Sequence, residues 1–424
     1  MSHALRTGLR SLYQNHVLGL SVFKTLVSGS LCKKLVATLP KGDFDPVAAN
    51  EAPLTPPEPQ APKRHVAVLD LLRFVAAMSV MLYHYVSTGK MHANYDLPPL
   101  DPAAEYGYLG VQLFFMISGF VIFMSARQSS KRNFLWHRFI RLAPAYYAAL
   151  VLTFMLCWLM PLSPYHRGLK ELLFNLIPVN FLPLVFRLGH IEYMDRSYWT
   201  LSLEVQFYAL AFFTICRQNQ STAVRTILTW TWVSLALHLL QLTTHNKIAL
   251  ILLSAASLDG YDCYFIAGCL FYILFCGRRN DVRIAVALVV SLAIAMQQVV
   301  YQVRAAGIPV KPEHLLGPVD VLGQHMLPVV AALVVASFFV LFTAISLGWD
   351  VKINRKLGSV LGGLTYPFYL LHQHIGFNLL FLMQPFLGRT AILPVAAIML
   401  TSSIALNRFY ELPLQRYLKK ALSV

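Results

Sequence analysis

Ten apolar runs, most of them near twenty residues and none alternating apolar with polar, dominate this chain of 424 residues. A helix needs about 20 apolar residues to cross ~30 Å of hydrocarbon. A membrane barrel would instead show period-two alternation. The runs therefore predict an all-α fold, a polytopic membrane helix bundle of about ten transmembrane helices. They fall at 66–87, 106–126, 142–161, 199–216, 226–243, 261–277, 284–303, 325–348, 361–384 and 391–407. Charged residues make up only 13% of the chain and hydrophobic residues 57%. Soluble domains carry roughly 25% charge, so the soluble enzyme classes are excluded. Two further apolar stretches, 172–186 and 247–258, are interrupted by proline or too short to span. They are expected to lie in the interface or to re-enter from the outer side.

The net charge of +16 does not point to nucleic acid, because the cations are sorted. Of 35 Lys and Arg, 17 fall in 127–141, 217–225, 278–283, 352–356 and 408–420, which are every second connection. The intervening connections hold nine. By the positive-inside rule the former face the cytoplasm, as do both termini, and the protein is expected in the cytoplasmic (inner) membrane. Membrane lipids are its first expected partners. The outer connections 88–105, 162–198 and 304–324 are then the segments that meet an external substrate.

Three parts are expected. Residues 1–65 form a cytoplasmic extension, disordered or lying on the membrane, in which Asp43 to Pro62 carries six prolines as a linker. Residues 66–416 form the membrane domain, and 417–424 a cytoplasmic tail. The six cysteines, Cys32, Cys157, Cys216, Cys263, Cys269 and Cys276, are scattered and read as small buried hydrophobes. No metal is implied, since no ligand cluster has suitable spacing.

Ionisable side chains inside apolar spans are few, and such residues face bundle interiors. The first span reads Asp70-Leu-Leu-Arg73 and continues to His84. Eleven steps of about 100° leave Arg73 and His84 on one helix face, roughly 16 Å apart along the axis. Asp70 lies on the same stripe and can pair with Arg73 at i, i+3. Glu204 sits in Trp199-Thr-Leu-Ser-Leu-Glu204-Val-Gln-Phe207-Tyr208, and His372 and His374 in a run free of other charge from Gly358 to Gly388. One polar core would bring His84, Glu204 and His372 together. Asp262, near a helix start, reads as a surface cap. Arg138 and Arg141, an i, i+3 pair in a basic connection, suit phosphate groups, of a ligand or of lipid. Ser118-Gly119 reads as a site of close helix approach.

Six blocks in order resemble the acyltransferase 3 family. They are Asp70-Leu-Leu-Arg73 with His84, similar to the family's Arg-x10-His; Gly110-Val-Gln-Leu-Phe-Phe-Met-Ile-Ser118-Gly119-Phe120; and Arg138-Phe-Ile-Arg141-Leu-Ala-Pro144, similar to its Arg-x-x-Arg loop. Then come the Glu204 block, Tyr366-Pro-Phe-Tyr369-Leu-Leu-His372, and Tyr410-Glu411-Leu-Pro413-Leu-Gln-Arg416. The departures are Gln112 for a usual Asp, Val205 for a second acidic residue, and Phe74 where Gly is common.

The resemblance implies an integral-membrane O-acyltransferase. It would move an acyl group, most often acetyl, from cytoplasmic acyl-coenzyme A to a hydroxyl of a carbohydrate or lipid-linked glycan, with acyl-CoA a donor substrate and no resident cofactor. His84 would be the general base or a transient acyl carrier, since a neutral imidazole serves either role. Arg73 would hold the thioester or stabilise the oxyanion. Glu204 would orient an imidazole or bind the acceptor, and Arg138 and Arg141 would bind donor phosphates. Asp70, Ser118, His372 and Glu411 would support the site or the substrate. The competing class, a transporter or flippase for a lipid-linked sugar, would show paired broken helices in an internal repeat, and no half-to-half similarity is evident.

Overall fold

The computed structural model describes residues 67–88, 101–160, 167–178, 192–244, 246–277, 280–306, 327–349 and 354–422. The 1–65 extension, Cys32 and large parts of the three outer connections lie outside the described residues. The described residues form one unit, beginning at Ala67. They contain helices and no strand.

In chain order the main helices are α1 (Ala67–Leu82), α2 (Gly110–Gln128), α3 (Lys131–Leu159), α4 (Tyr198–Thr214) and α5 (Gln220–Thr243). There follow α6 (Asp262–Phe275), α7 (Val282–Ala306), α8 (Pro328–Ser346) and α9 (Arg355–Leu371). The chain ends with α10 (His374–Leu387), α11 (Ile392–Ala405) and α12 (Leu412–Leu422). Polar caps mark three starts at the basic connections. Ser130 accepts from the Asn133 N–H at 3.2 Å, Asn219 from Thr222 at 2.8 Å and Asn354 from Lys356 at 2.9 Å. Each satisfies a backbone donor that the first turn leaves open.

Seven helical stretches among the described residues are long and apolar enough to cross a membrane. All ten expected segments are helical, but three fall short of a full apolar span. α4 has 17 residues and α6 has 14, and 361–384 is broken between α9 and α10. Burial explains why shortness is tolerated in α6. Residues 262–273 are all buried, so protein and not lipid surrounds that helix. Elsewhere apolar side chains face outward, with Leu159 75% and Phe386 87% exposed, as lipid contact requires.

Glycines set the closest crossings. A Cβ on Gly119 would lie 2.2 Å from the Phe265 carbonyl oxygen, and one on Gly268 2.1 Å from that of Met116. The Ser118-Gly119 pair is thus one half of a mutual glycine contact between α2 and α6. On α9, Gly362 leaves room for Asp70, whose carboxyl carbon would sit 2.7 Å from an added Cβ. This draws α1 against α9 and fixes the helix that carries Arg73.

One expectation is corrected. Asp262 is not a surface cap but fully buried, with His238 Nε2 3.9 Å from its carboxylate. The reason is the segment before it. Leu258 and Gly260 fold over the helix start and are themselves buried.

Candidate active site

Two irregularities place the histidines. α1 continues into a π-helical turn, Tyr83–Thr88, which carries His84 and Tyr85. Such turns widen a helix locally and often coincide with functional sites. α9 stops at Leu371 and α10 starts at His374, so His372 sits at a break. The two rings meet there, with centroids 5.3 Å apart. His372 is completely buried and His84 is 8% exposed.

His372 is held from three sides. Its Nδ1 lies 2.7 Å from the Tyr369 carbonyl oxygen, and its ring stacks on Phe368. The Tyr85 hydroxyl donates to its backbone carbonyl at 2.5 Å. A carbonyl only accepts, so Nδ1 carries the proton and Nε2 keeps the lone pair. Nε2 has no hydrogen-bond partner among the described residues.

Below the histidines lies a small chamber of about 70 Å³, lined among others by Arg73, Ser118, Arg141, Glu204, Tyr366 and Tyr369. Arg73 pairs with Asp70 at 3.4 Å. One Glu204 oxygen accepts from the Tyr208 hydroxyl at 2.7 Å and from Ser118 Oγ at 3.3 Å. The chamber's Tyr369 touches His372, with ring centroids 5.3 Å apart. The expectation of one shared cavity therefore needs refinement. Glu204 and Arg73 line the chamber, His84 does not, and Tyr369 and His372 bridge the two.

A larger cavity of about 390 Å³ opens at the basic end of the bundle, where His137, Arg138, Arg141 and Lys419 line it. Arg141 borders both spaces. Arg138 donates to Ser125 Oγ at 3.0 Å, and its guanidinium lies 5.6 Å from the centre of the Tyr208 ring. Glu411 is buried beside this cavity, accepting from Asn407 at 2.8 Å and from Gln415 at 2.9 Å.

Sequence reasoning gave no role to several groups that build the site. Tyr208, Tyr366 and Tyr369 lie within the quoted blocks. The signal for Tyr208 was its i, i+4 spacing from Glu204. Asp195 was overlooked. Its fully buried carboxylate accepts from the Ser197 N–H and the His374 N–H, both at 2.8 Å. It thereby ties the start of α4, which carries Glu204, to the break that carries His372. Burial pushes the Asp195 carboxyl up to about 6, although the His374 and Ser197 donors favour the anion. Among the described residues no three His, Cys, Asp or Glu side chains are grouped as a metal site would require.

No curated protein and no solved structure matches the chain. A family model described as an acyltransferase domain matches residues 66–408, which contain Arg73, His84, Arg138, Arg141, Glu204 and His372. The chain belongs to the acyltransferase 3 family and is a multi-pass membrane acyltransferase.

Proposed function

We propose that the protein transfers a short acyl group, acetyl, from acyl-coenzyme A to a hydroxyl of a carbohydrate or lipid-linked glycan in the cytoplasmic membrane. The carrying observation is the unbroken order of polar groups. It runs from the basic cavity through Arg141 into the chamber, and through Tyr369 to His372 and His84. The basic end faces the cytoplasm, where the donor is made, and the histidine end faces the acceptor.

Donor phosphates sit in the basic cavity against Arg138 and Arg141, and the pantetheine arm passes Arg141. The arm's amides offer carbonyl acceptors to Arg73 and an N–H donor to Glu204. Arg73 is assigned to the donor, because it lines the chamber while His84 stands about 16 Å of helix rise further on. The acyl group enters first, and a chamber of about 70 Å³ favours a short one.

At the far end His84 takes the acceptor hydroxyl proton as the oxygen attacks the thioester carbonyl. The tetrahedral intermediate expels the coenzyme A thiolate, so a C–O bond replaces the C–S bond. The thiolate is then protonated. His372, with its tautomer fixed by Tyr369, packs against His84 and sets its ring position.

Membrane vesicles with the basic face outward, given radiolabelled acetyl-CoA, test the reading. Label should enter the lipid-linked sugar or polysaccharide fraction, and His84→Ala should abolish that. If vesicles holding the folded protein transfer no label but move lipid-linked sugar across the bilayer, the transferase reading of this site fails.

A further inference from the structure

The basic cavity is not built only from the stretch of α3 that carries Arg138 and Arg141. Gln415 and Lys419 of α12 line it too. They stand at i and i+4, on the same helix face as Glu411, whose carboxylate accepts from Gln415 at 2.9 Å. α12 also packs on α3, the helix of Arg138 and Arg141. All of α12 lies beyond the residues matched by the family model, which ends at 408.

Charge makes this arrangement informative. Arg138, Arg141 and Lys419 converge on one cavity, and none of them forms an ion pair among the described residues. Glu411, hydrogen-bonded to Asn407 and Gln415, lies behind the cavity and offsets part of this charge, and among the described residues no acidic side chain lines the cavity itself. Arg138 is partly committed, bonded to Ser125 and laid over the Phe134 and Tyr208 rings. Like charges gathered in excess of their counter-charge repel, unless an anion joins them. A lysine meets phosphate as a point charge and needs no fixed fork geometry, which suits a residue at a cavity mouth.

We propose that α12 completes the donor site, with Lys419 binding a phosphate of acyl-coenzyme A opposite Arg141 and Gln415 bracing Glu411 behind it. This rests on the donor reading of the cavity. Coenzyme A carries a diphosphate and a phosphate monoester, the latter alone between about −1.5 and −2 at neutral pH. Two arginines leave part of that charge unmatched, and Lys419 supplies another cation. A lipid headgroup offers the same phosphate chemistry, so the two sources need separating.

The test is the affinity of the purified full chain for acetyl-CoA in a phosphate-free detergent. Lys419→Gln should weaken binding about two- to fivefold, one surface-accessible charge contact's effect. Lys419→Arg should restore it, and Lys420→Gln, a neighbouring exposed cation, should leave it unchanged. Acetyl-pantetheine, which has no phosphate, should compete equally well for wild type and Lys419→Gln. If Arg141→Gln weakens acetyl-CoA binding and Lys419→Gln does not, the role of α12 is overturned while the donor reading stands. If neither does, the donor reading itself falls. A Lys419→Gln defect that is seen only in phospholipid nanodiscs, or that extends to acetyl-pantetheine, would also overturn the proposal.

Discussion

At the scale of the residue, two imidazoles sit in different surroundings. His84 is slightly exposed and lies on the wide turn that ends α1, where the proposed function brings the acceptor. His372 is sealed, and its Nδ1 is committed to Tyr369. General base catalysis contributes about 10²–10⁴-fold. His84→Ala should lose at least that much transfer, normalised to folded, membrane-inserted protein. A normalised rate within threefold of wild type would show that His84 is structural. Tyr208→Phe is expected to be milder. It removes the shorter of the two hydrogen bonds to one Glu204 oxygen, and a hydrogen bond to a carboxylate contributes about 1.5–3 kcal/mol. Transfer should fall roughly tenfold or more, and Ser118→Ala should cost less because its bond is longer. Equal losses in the two variants would contradict this ranking. Arg73 shows what helical periodicity leaves open. It puts Arg73 on the His84 face, and an axial rise of about 16 Å still separates the two.

At the scale of the element, the packing devices were only half visible. The Ser118-Gly119 pair announced a close approach on α2, but nothing local named Gly268 on α6 as its counterpart. That pairing depends on which helices become neighbours, which is a tertiary fact. Gly119→Leu or Gly268→Leu should each prevent normal folding, because the new Cβ would strike backbone and not a movable side chain. Overpacking of this kind typically costs at least 1–3 kcal/mol. Size-exclusion profiles in detergent should show loss of the monodisperse peak, whereas Gly277→Ala, where no atom lies within 4 Å of a Cβ, is limited to the strain of its positive φ. Asp262 and Asp195 were misjudged or missed for a shared reason. Each sits near a helix start, where an acidic residue usually caps in solvent, and each is buried by a connecting segment whose path local sequence does not encode. Asp195 gives this scale a pH signature. Its carboxyl titrates at about 6 in the fold, above the ~3.9 of a solvated aspartate. The folded state therefore holds the extra proton between those values. The stability Asp195 contributes is largest below the unfolded value and is lost as pH rises toward 6. Thermal midpoints between pH 4.5 and 6.5 should decline more steeply with pH in wild type than in Asp195→Asn. Parallel curves would mean that another group dominates.

At the scale of the whole molecule, apolar runs made the helical bundle legible, and six ordered motif blocks its family, before any contact was known. The sequence was less able to say how completely each helix crosses. A mean over twenty residues does not distinguish α6, wrapped in protein, from α8, whose Val340 is 70% exposed. It also overlooked the breaks that hold His84 and His372, because a π turn and a two-residue gap leave the apolar pattern intact. The two ends of the bundle nevertheless differ as the cation count requires. The start of α3 carries Lys131 and Arg132 beside Arg138, Arg141 and Lys419, while Tyr85, His372 and Asp195 gather at the opposite end. The proposed function depends on this polarity, since it brings donor and acceptor together from opposite faces. Asn133 is exposed at the basic end, and Lys170 is exposed in the connection after α3. In a variant lacking the native cysteines, Asn133→Cys should resist a membrane-impermeant thiol reagent in intact cells and react once the membrane is opened. Lys170→Cys should react in intact cells. The reverse pattern would turn the molecule over, place the basic cavity away from cytoplasmic acyl-CoA, and remove the ground for assigning Arg138, Arg141 and Lys419 to the donor.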